Sequence, residues 1–437
     1  MGKSAAQSQF QSDDAAFPIW VIVIFGISFK ILLLLIVILS IVKPHPSAVS
    51  PWIATFGIDL VIITLSLMVF LLKKRVSFKY SLVKVVGFQL TGLLLLLITG
   101  YISTLGISGH ADSDIIPNFL RMSYYLLLLG LYYESFASYT LNRNIMDKVI
   151  SITYQVNIVI CLLQLFNPPV LGPAVRYVFG EVKLRALATG YPRVYGSFFN
   201  ANWFGVYLVF LIAWWITSYE TDKSFKRARL FFRILSCMAL IILTGSRTAL
   251  LGAIIVLLCY TLLMKKFKLL VVLTGIGYGS MRILDGVAAS NMGIARSAAR
   301  FTALFESFGE QSLADISSFA GRTAAWQIAL EEMREISGAF AFGIGGYKTA
   351  DSTYIKFLVM SGVLGIVSFV CVFVVPTLIA SLGKSTSQAR VLLLFGIALL
   401  VMMITAELFF TTQVMNLWIF LLSAALAKQK ELSGSDF

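Results

Sequence analysis

Residues 353–380 read TYIKFLVMSGVLGIVSFVCVFVVPTLIA, a run continuous in Leu, Ile, Val and Phe with no polar and apolar alternation. About 20 apolar residues in a helix cross the hydrocarbon layer of a bilayer. A membrane-spanning strand would alternate instead. The stretch therefore predicts a transmembrane helix, and lipid, which offers no partner for exposed backbone, makes the fold class all-α.

The same pattern recurs along the chain. Apolar runs fall at about 17–42, 51–72, 85–106, 115–140, 147–166, 201–219, 230–245, 248–264, 267–284, 391–409 and 411–427. With 353–380 they predict a polytopic membrane protein of about twelve transmembrane helices, forming one transmembrane domain over 1–437. The last two runs share the residues around Glu407–Gln413, where a boundary must fall. Of 437 residues, 58% are hydrophobic and 13% charged, and the mean hydropathy is +0.87, more apolar surface than a soluble core can hide. The first run is too long for a cleaved leader and lacks a small-residue cleavage site, so it reads as a retained helix stopped by KPHPS at 43–47. Cys161, Cys237, Cys259 and Cys371 lie in or beside apolar runs without CxxC spacing and read as packing residues.

Orientation follows from the basic residues, which concentrate in short cytoplasmic loops. Lys73, Lys74, Arg75, Lys79 and Lys84 share one loop, Arg143 and Lys148 the next, then Lys223, Lys226, Arg227, Arg229 and Arg233, then Lys265, Lys266 and Lys268. Lys384, Arg390, Lys428 and Lys430 continue the alternation, which puts both termini in the cytoplasm. The opposite, outer side carries two long connections, 167–200 and 285–352. The first holds Arg176, Lys183, Arg185 and Arg193 against Glu181 alone, so it is expected to bind an anion. The second is charged but nearly balanced and is expected to be a folded cap with short helices. Within it Arg322, Trp326, Ala329 and Met333 share one helical face, with Glu331, Glu332 and Glu335 off it.

Four segments on that outer side could carry chemistry: YPRVYGSFFNANWFG (191–205), LTGSRTALLG (243–252), GRTAAWQIAL (321–330) and FGIGGYKTADSTYIKFLVMSGVLG (342–365). Asn200 or Asn202 can cap the helix that follows the first. Arginine suits phosphate because its planar fork gives two parallel charge-assisted bonds. Arg193, Arg247 and Arg322, each beside small residues, are thus candidates to converge on one polyanionic group; the bland role for each is snorkelling to headgroups or pairing with a nearby carboxylate. The FGIGG glycines fit an anion nest or a hinge, and without a preceding strand they are no nucleotide fingerprint. Asp351, where the chain re-enters the membrane, is either the N-cap of the next helix or a base; burial would raise its pKa and nearby arginines lower it. Lys30, Asp59, Glu134 and Glu407 lie within runs and need partners there, Lys30 with Asp59 first. His45 and His110 form no metal set.

At these segments the chain resembles the O-antigen polymerase and O-antigen ligase superfamily of bacterial envelope enzymes. The matching pieces are GSFFNANWFG after an arginine-bearing loop, TGSRTALL at a tight outer hairpin, GRTAAWQIAL before FGIGGY, and DSTYIKFLVMSGVLG opening the next span; they cover about 190–365 in order. The resemblance implies a metal-independent glycosyltransferase without cofactors, multi-pass in the bacterial inner membrane. It acts at the periplasmic face on polyprenyl-pyrophosphate-linked oligosaccharides. Arg193, Arg247 and Arg322 would hold the donor pyrophosphate. Asp351 would orient or deprotonate the acceptor hydroxyl, with Tyr195, Asn200, Tyr347, Lys348 and Tyr354 as further substrate contacts. Ligases of the superfamily show a histidine followed by asparagine where this chain has Asp351-Ser352, and polymerases commonly carry an aspartate there, so polymerase is favoured over ligase. The expected partners are the lipid-linked glycan, membrane lipids and a chain-length regulator protein, with no nucleic acid. A flippase for the same lipid-linked sugar is the competing class; the large outer loop and the absence of an internal repeat count against it.

Overall fold

The computed structural model describes residues 33–36, 38, 61–65, 80–103, 115–138, 141–166, 193–198, 200–221, 227–266, 317–345, 351–382 and 386–433. Among these residues the chain is helical, with no strand. The helices are α1 (Tyr80–Ile102), α2 (Ile115–Ala137), α3 (Arg143–Phe166), α4 (Ala201–Thr221), α5 (Arg227–Thr244), α6 (Arg247–Leu263), α7 (Ser317–Glu335), α8 (Ala339–Phe342) and α9 (Thr353–Phe369). A π-turn, Val370–Val374, joins α9 to α10 (Val375–Leu382); α11 (Ser387–Met402) and α12 (Thr412–Ser433) follow. The expected spans 17–42 and 51–72 are helical at their few described residues, and 267–284 lies outside the described residues, as do Lys30, Asp59, His45 and His110.

Among the described residues, four helices are both long and apolar enough to cross a membrane: Leu82–Ile102, Arg143–Leu165, Ala201–Glu220 and Thr353–Leu382. Arg247–Leu263, Ser387–Met402 and Thr412–Lys428 are shorter apolar helices. The outer surface explains the composition. Leu90, Leu94, Ile98 and Tyr101 form an exposed stripe on α1, and Leu251, Ile254, Leu258 and Leu262 another on α6. Contiguous apolar stripes of this kind suit lipid and are a liability in water. At the centre, α4 is buried on nearly every side from Phe204 to Ile216, packed against α5, α6, α11 and α12.

The contacts separate two ends of the bundle. At one end, Arg143 donates to Ser387 Oγ (3.4 Å) and Ser218 O (3.3 Å). Glu220 there accepts from Lys266 (2.6 Å), Tyr260 (2.9 Å) and Arg390 (3.2 Å). Residues of four basic loops are thus drawn together. With its side chain only 12% exposed, Glu220 neutralises two cations at once. Glu220→Ala is expected to lower stability by about 2 kcal/mol, the scale of a partly buried bond to a charged group discounted for the exposure of Lys266. Thermal unfolding in detergent checks this; an unchanged midpoint would make these surface pairs without weight.

Two stretches that read as plain spans are shaped otherwise. The run 391–409 ends as helix at Met402, and 403–411 is a turn. The run 353–380 is broken at Gly362, whose φ of 62° and ψ of −156° lie outside the helical region. The backbone of 341–344 crosses α9 here. Ile344 N donates to Val359 O (2.8 Å), and Gly343 lies against the main chain of Met360 and Ser361, Gly362 against that of Ala341 and Phe342, so closely that a Cβ on either would overlap main-chain atoms. Gly343 thus serves a close crossing rather than an anion nest. From Val363 to Leu382 remains about 30 Å of helix at roughly 1.5 Å per residue, enough by itself to cross the hydrocarbon layer. The wider π-turn at Val370–Val374 precedes Pro376, which has no N–H to give and whose ring would crowd a regular turn.

Candidate functional site

The opposite end of the bundle gathers the arginine-bearing segments. It is built first on two buried amides of α3. Gln164 Oε1 accepts from the backbone N of Tyr195 (3.0 Å) and Gly196 (3.1 Å), and its Nε2 donates to Gly196 O (3.0 Å). Asn157 Oδ1 accepts from Ser197 N (2.8 Å) and Ser197 Oγ (3.0 Å). These bonds fix the non-helical segment 193–198 against the bundle. Neither amide stood out in the sequence, since each sits inside an apolar run.

Arg193 leaves this segment toward the end of α5, donating from Nε to Thr244 O (2.7 Å) and from Nη2 to Asn202 Oδ1 (3.2 Å). A cation on the last carbonyl of a helix is favourable. Asn200 caps α4, its Oδ1 accepting from Asn202 N (2.8 Å), so of the two asparagines it is the cap and Asn202 meets Arg193. The Tyr195 side chain is buried, which raises its phenol pKa and places it within the bundle.

Two residues beyond Thr244, Ser246 caps α6 by accepting from Ala249 N (3.2 Å). Arg247 is therefore the first residue of that helix. A basic side chain at a helix N-terminus adds to the positive end of the macrodipole, a poor choice for stability and a suitable one for holding an anion. Next to it, Thr248 Oγ1 and Thr405 Oγ1 share a hydrogen bond (2.9 Å), linking α6 to the 403–411 turn.

That turn is bolted to the start of α9. Thr353 N donates to Met403 O (3.0 Å), Thr353 Oγ1 to Ala406 O (2.9 Å), Ser352 Oγ to Met403 O (3.4 Å) and Tyr354 OH to Leu400 O (2.7 Å). Tyr354 is thus a tie between α9 and α11. The N-cap of α9 is Ser352, not Asp351. The Asp351 carboxylate instead pairs with Arg322 (Nε to Oδ2, 3.3 Å), with side-chain exposures of 66% and 26%.

Arg322 comes from α7, whose expected face is the one that packs: Ala329 and Met333 are fully buried against Ala339 and Val359, while Glu331, Glu332 and Glu335 are exposed. Tyr347 and Lys348 lie outside the described residues.

The structure adds a second ion pair at this end. Lys356, one turn into α9, meets Glu407 of the 403–411 turn (Nζ to Oε2, 3.0 Å) and lies over the Phe410 ring (4.8 Å). Burial, the largest influence, lifts the Glu407 carboxyl above its ordinary range; Lys356 opposes this, Asp351 adds to it and Arg121 of α2 opposes it. Glu407 stood out in the sequence as an ionisable residue near the end of an apolar run, but its partner Lys356 lies 51 positions away and no local signal joins them. No protein family, curated protein or solved structure matches this chain.

Proposed function

We propose that the chain is an O-antigen-polymerase-like glycosyltransferase, multi-pass in the bacterial inner membrane through about twelve helices with both termini cytoplasmic. It transfers a growing glycan from polyprenyl pyrophosphate onto a lipid-linked repeat unit at the periplasmic face. The observation that carries the reading is the Arg322–Asp351 pair, at the end of the bundle away from the basic loops. A guanidinium, a group suited to phosphate, lies there beside a carboxylate, and these are two groups that displacement of a pyrophosphate by a hydroxyl can use.

In this reading the exposed pair is a resting arrangement. Exposed ion pairs contribute at most about 1 kcal/mol, so an incoming pyrophosphate can draw Arg322 away from Asp351. The released carboxylate then faces the acceptor hydroxyl. Arg322 and Arg247, with the N-terminus of α6 behind the latter, stabilise negative charge as it develops on the leaving pyrophosphate. Arg193 spends two of its donors holding Thr244 and Asn202, so it positions the α5–α6 hairpin as well as adding charge.

The test is the product pattern of purified protein in lipid, supplied with a polyprenyl-pyrophosphate-linked repeat unit alone and no metal or nucleotide. A ladder of longer lipid-linked glycans is expected. Sugar moving only when a lipid A core acceptor is added would make the protein a ligase, and movement of the substrate between leaflets without transfer would make it a transporter.

A further inference from the structure

Resting on that glycosyltransferase reading, we propose that Glu407 takes the proton from the acceptor hydroxyl, while Asp351 orients that hydroxyl and Lys356 holds Glu407 in place. The first ground is placement. Glu407 sits on the 403–411 turn, and four hydrogen bonds lock residues 400–406 to residues 352–354. The backbones carrying Asp351 and Glu407 are therefore fixed to each other. Two carboxylates held together and pushed into different environments are the usual way one site divides its acid and base work.

The second ground is the contrast between those environments. Asp351 is 66% exposed and its carboxylate is engaged by the Arg322 guanidinium. Glu407 is 29% exposed and paired with Lys356, whose ammonium lies over the Phe410 ring. Burial raises the Glu407 carboxyl above its ordinary value, and proton transfer is most effective when the base lies nearer the working pH.

The third ground is that structure alone gives the pair little to do. The turn is already fastened through the carbonyls of Leu400, Met403 and Ala406, and a half-buried ion pair adds little or nothing over an apolar pair of the same volume. The step balances. The acceptor oxygen bonds to the donor's anomeric carbon, and the bond from that carbon to the pyrophosphate oxygen breaks with its electron pair leaving on the polyprenyl pyrophosphate. The hydroxyl proton passes to Glu407 and then to water.

The experiment uses the full chain in lipid with the polyprenyl-pyrophosphate-linked repeat unit. Glu407→Gln is expected to lower transfer at least about 100-fold with donor affinity unchanged. Because this variant leaves Lys356 without its anion, the double variant Lys356→Met, Glu407→Gln is measured beside it; with both charges gone no orphan remains, and it is expected to be folded and equally inactive. Transfer within about tenfold of wild type by either variant overturns the assignment. So does failure of both to fold, which would make the pair structural. A wild-type protein that forms no ladder would remove the glycosyltransferase reading itself, whereas ladders from wild type and from Glu407→Gln alike would sink only this inference.

Discussion

Gly362→Ala is expected to release the α7–α8 cap from α9 and abolish function, leaving a protein that is cut by protease within residues 317–345 and unfolds at a lower temperature. The backbone at Gly362 has φ 62° and ψ −156°, a region that essentially only glycine occupies, and forcing alanine into it costs about 1–3 kcal/mol. A Cβ there would also overlap the backbone of Ala341 and Phe342. Main chain cannot rotate aside as a side chain does, so the crossing must open. Opening it loses the Ile344 N to Val359 O bond and uncovers Met333, Ala339 and Val359. Together these reach about 3–6 kcal/mol, comparable to the whole stability of a modest domain. Arg322 rides on the same cap, so its pairing with Asp351 goes too. Gly87, on α1, is the control: nothing lies near its missing Cβ, and Gly87→Ala is expected to be neutral or slightly stabilising. If Gly362→Ala keeps wild-type protease resistance, α9 is not broken at this point.

The helices were legible because long apolar runs carry a strong local signal. The run 201–219 became Ala201–Thr221 and 230–245 became Arg227–Thr244, shifts of a few residues that hydropathy cannot fix. The gathering of the basic loops at one end and the buried face of α7 were readable for similar reasons, since charge and periodicity are local signals. What stayed hidden depends on distant partners. Residues 403–411 are apolar enough, with Ala406, Leu408, Phe409 and Phe410, to pass for helix. Their carbonyls are satisfied instead by Thr353 and by Tyr125, whose hydroxyl donates to Phe409 O. Nothing local announces such pairings across 53 or 284 positions. Asn157 and Gln164 were hidden in the same way: an amide in an apolar run shows its purpose only once the 193–198 segment is laid against it.

Asp351→Asn is expected to reduce transfer about 100-fold while leaving donor binding intact or tighter, and the opposite signs of these effects are what make it informative. In the resting site Asp351 competes with the donor pyrophosphate for Arg322. Removing its charge ends that competition. Because the pair is exposed it contributes at most about 1 kcal/mol, so the donor's affinity can rise no more than about fivefold. The acceptor hydroxyl meanwhile loses the carboxylate that orients it, and misplacement of a reacting group by about 1 Å is enough for a hundredfold loss. A purely structural Asp351 predicts otherwise. Ser352 is the N-cap and the 352–354 bonds do not involve the Asp351 side chain, so a structural role would run through Arg322 and the cap alone. Asp351→Asn would then weaken donor binding and turnover together by loosening α7. Donor affinity measured by titration of the lipid-linked repeat unit, set beside turnover from the product ladder, separates the two. Wild-type turnover in this variant would take Asp351 out of the reaction and leave the arginines without a carboxylate to work against at that position.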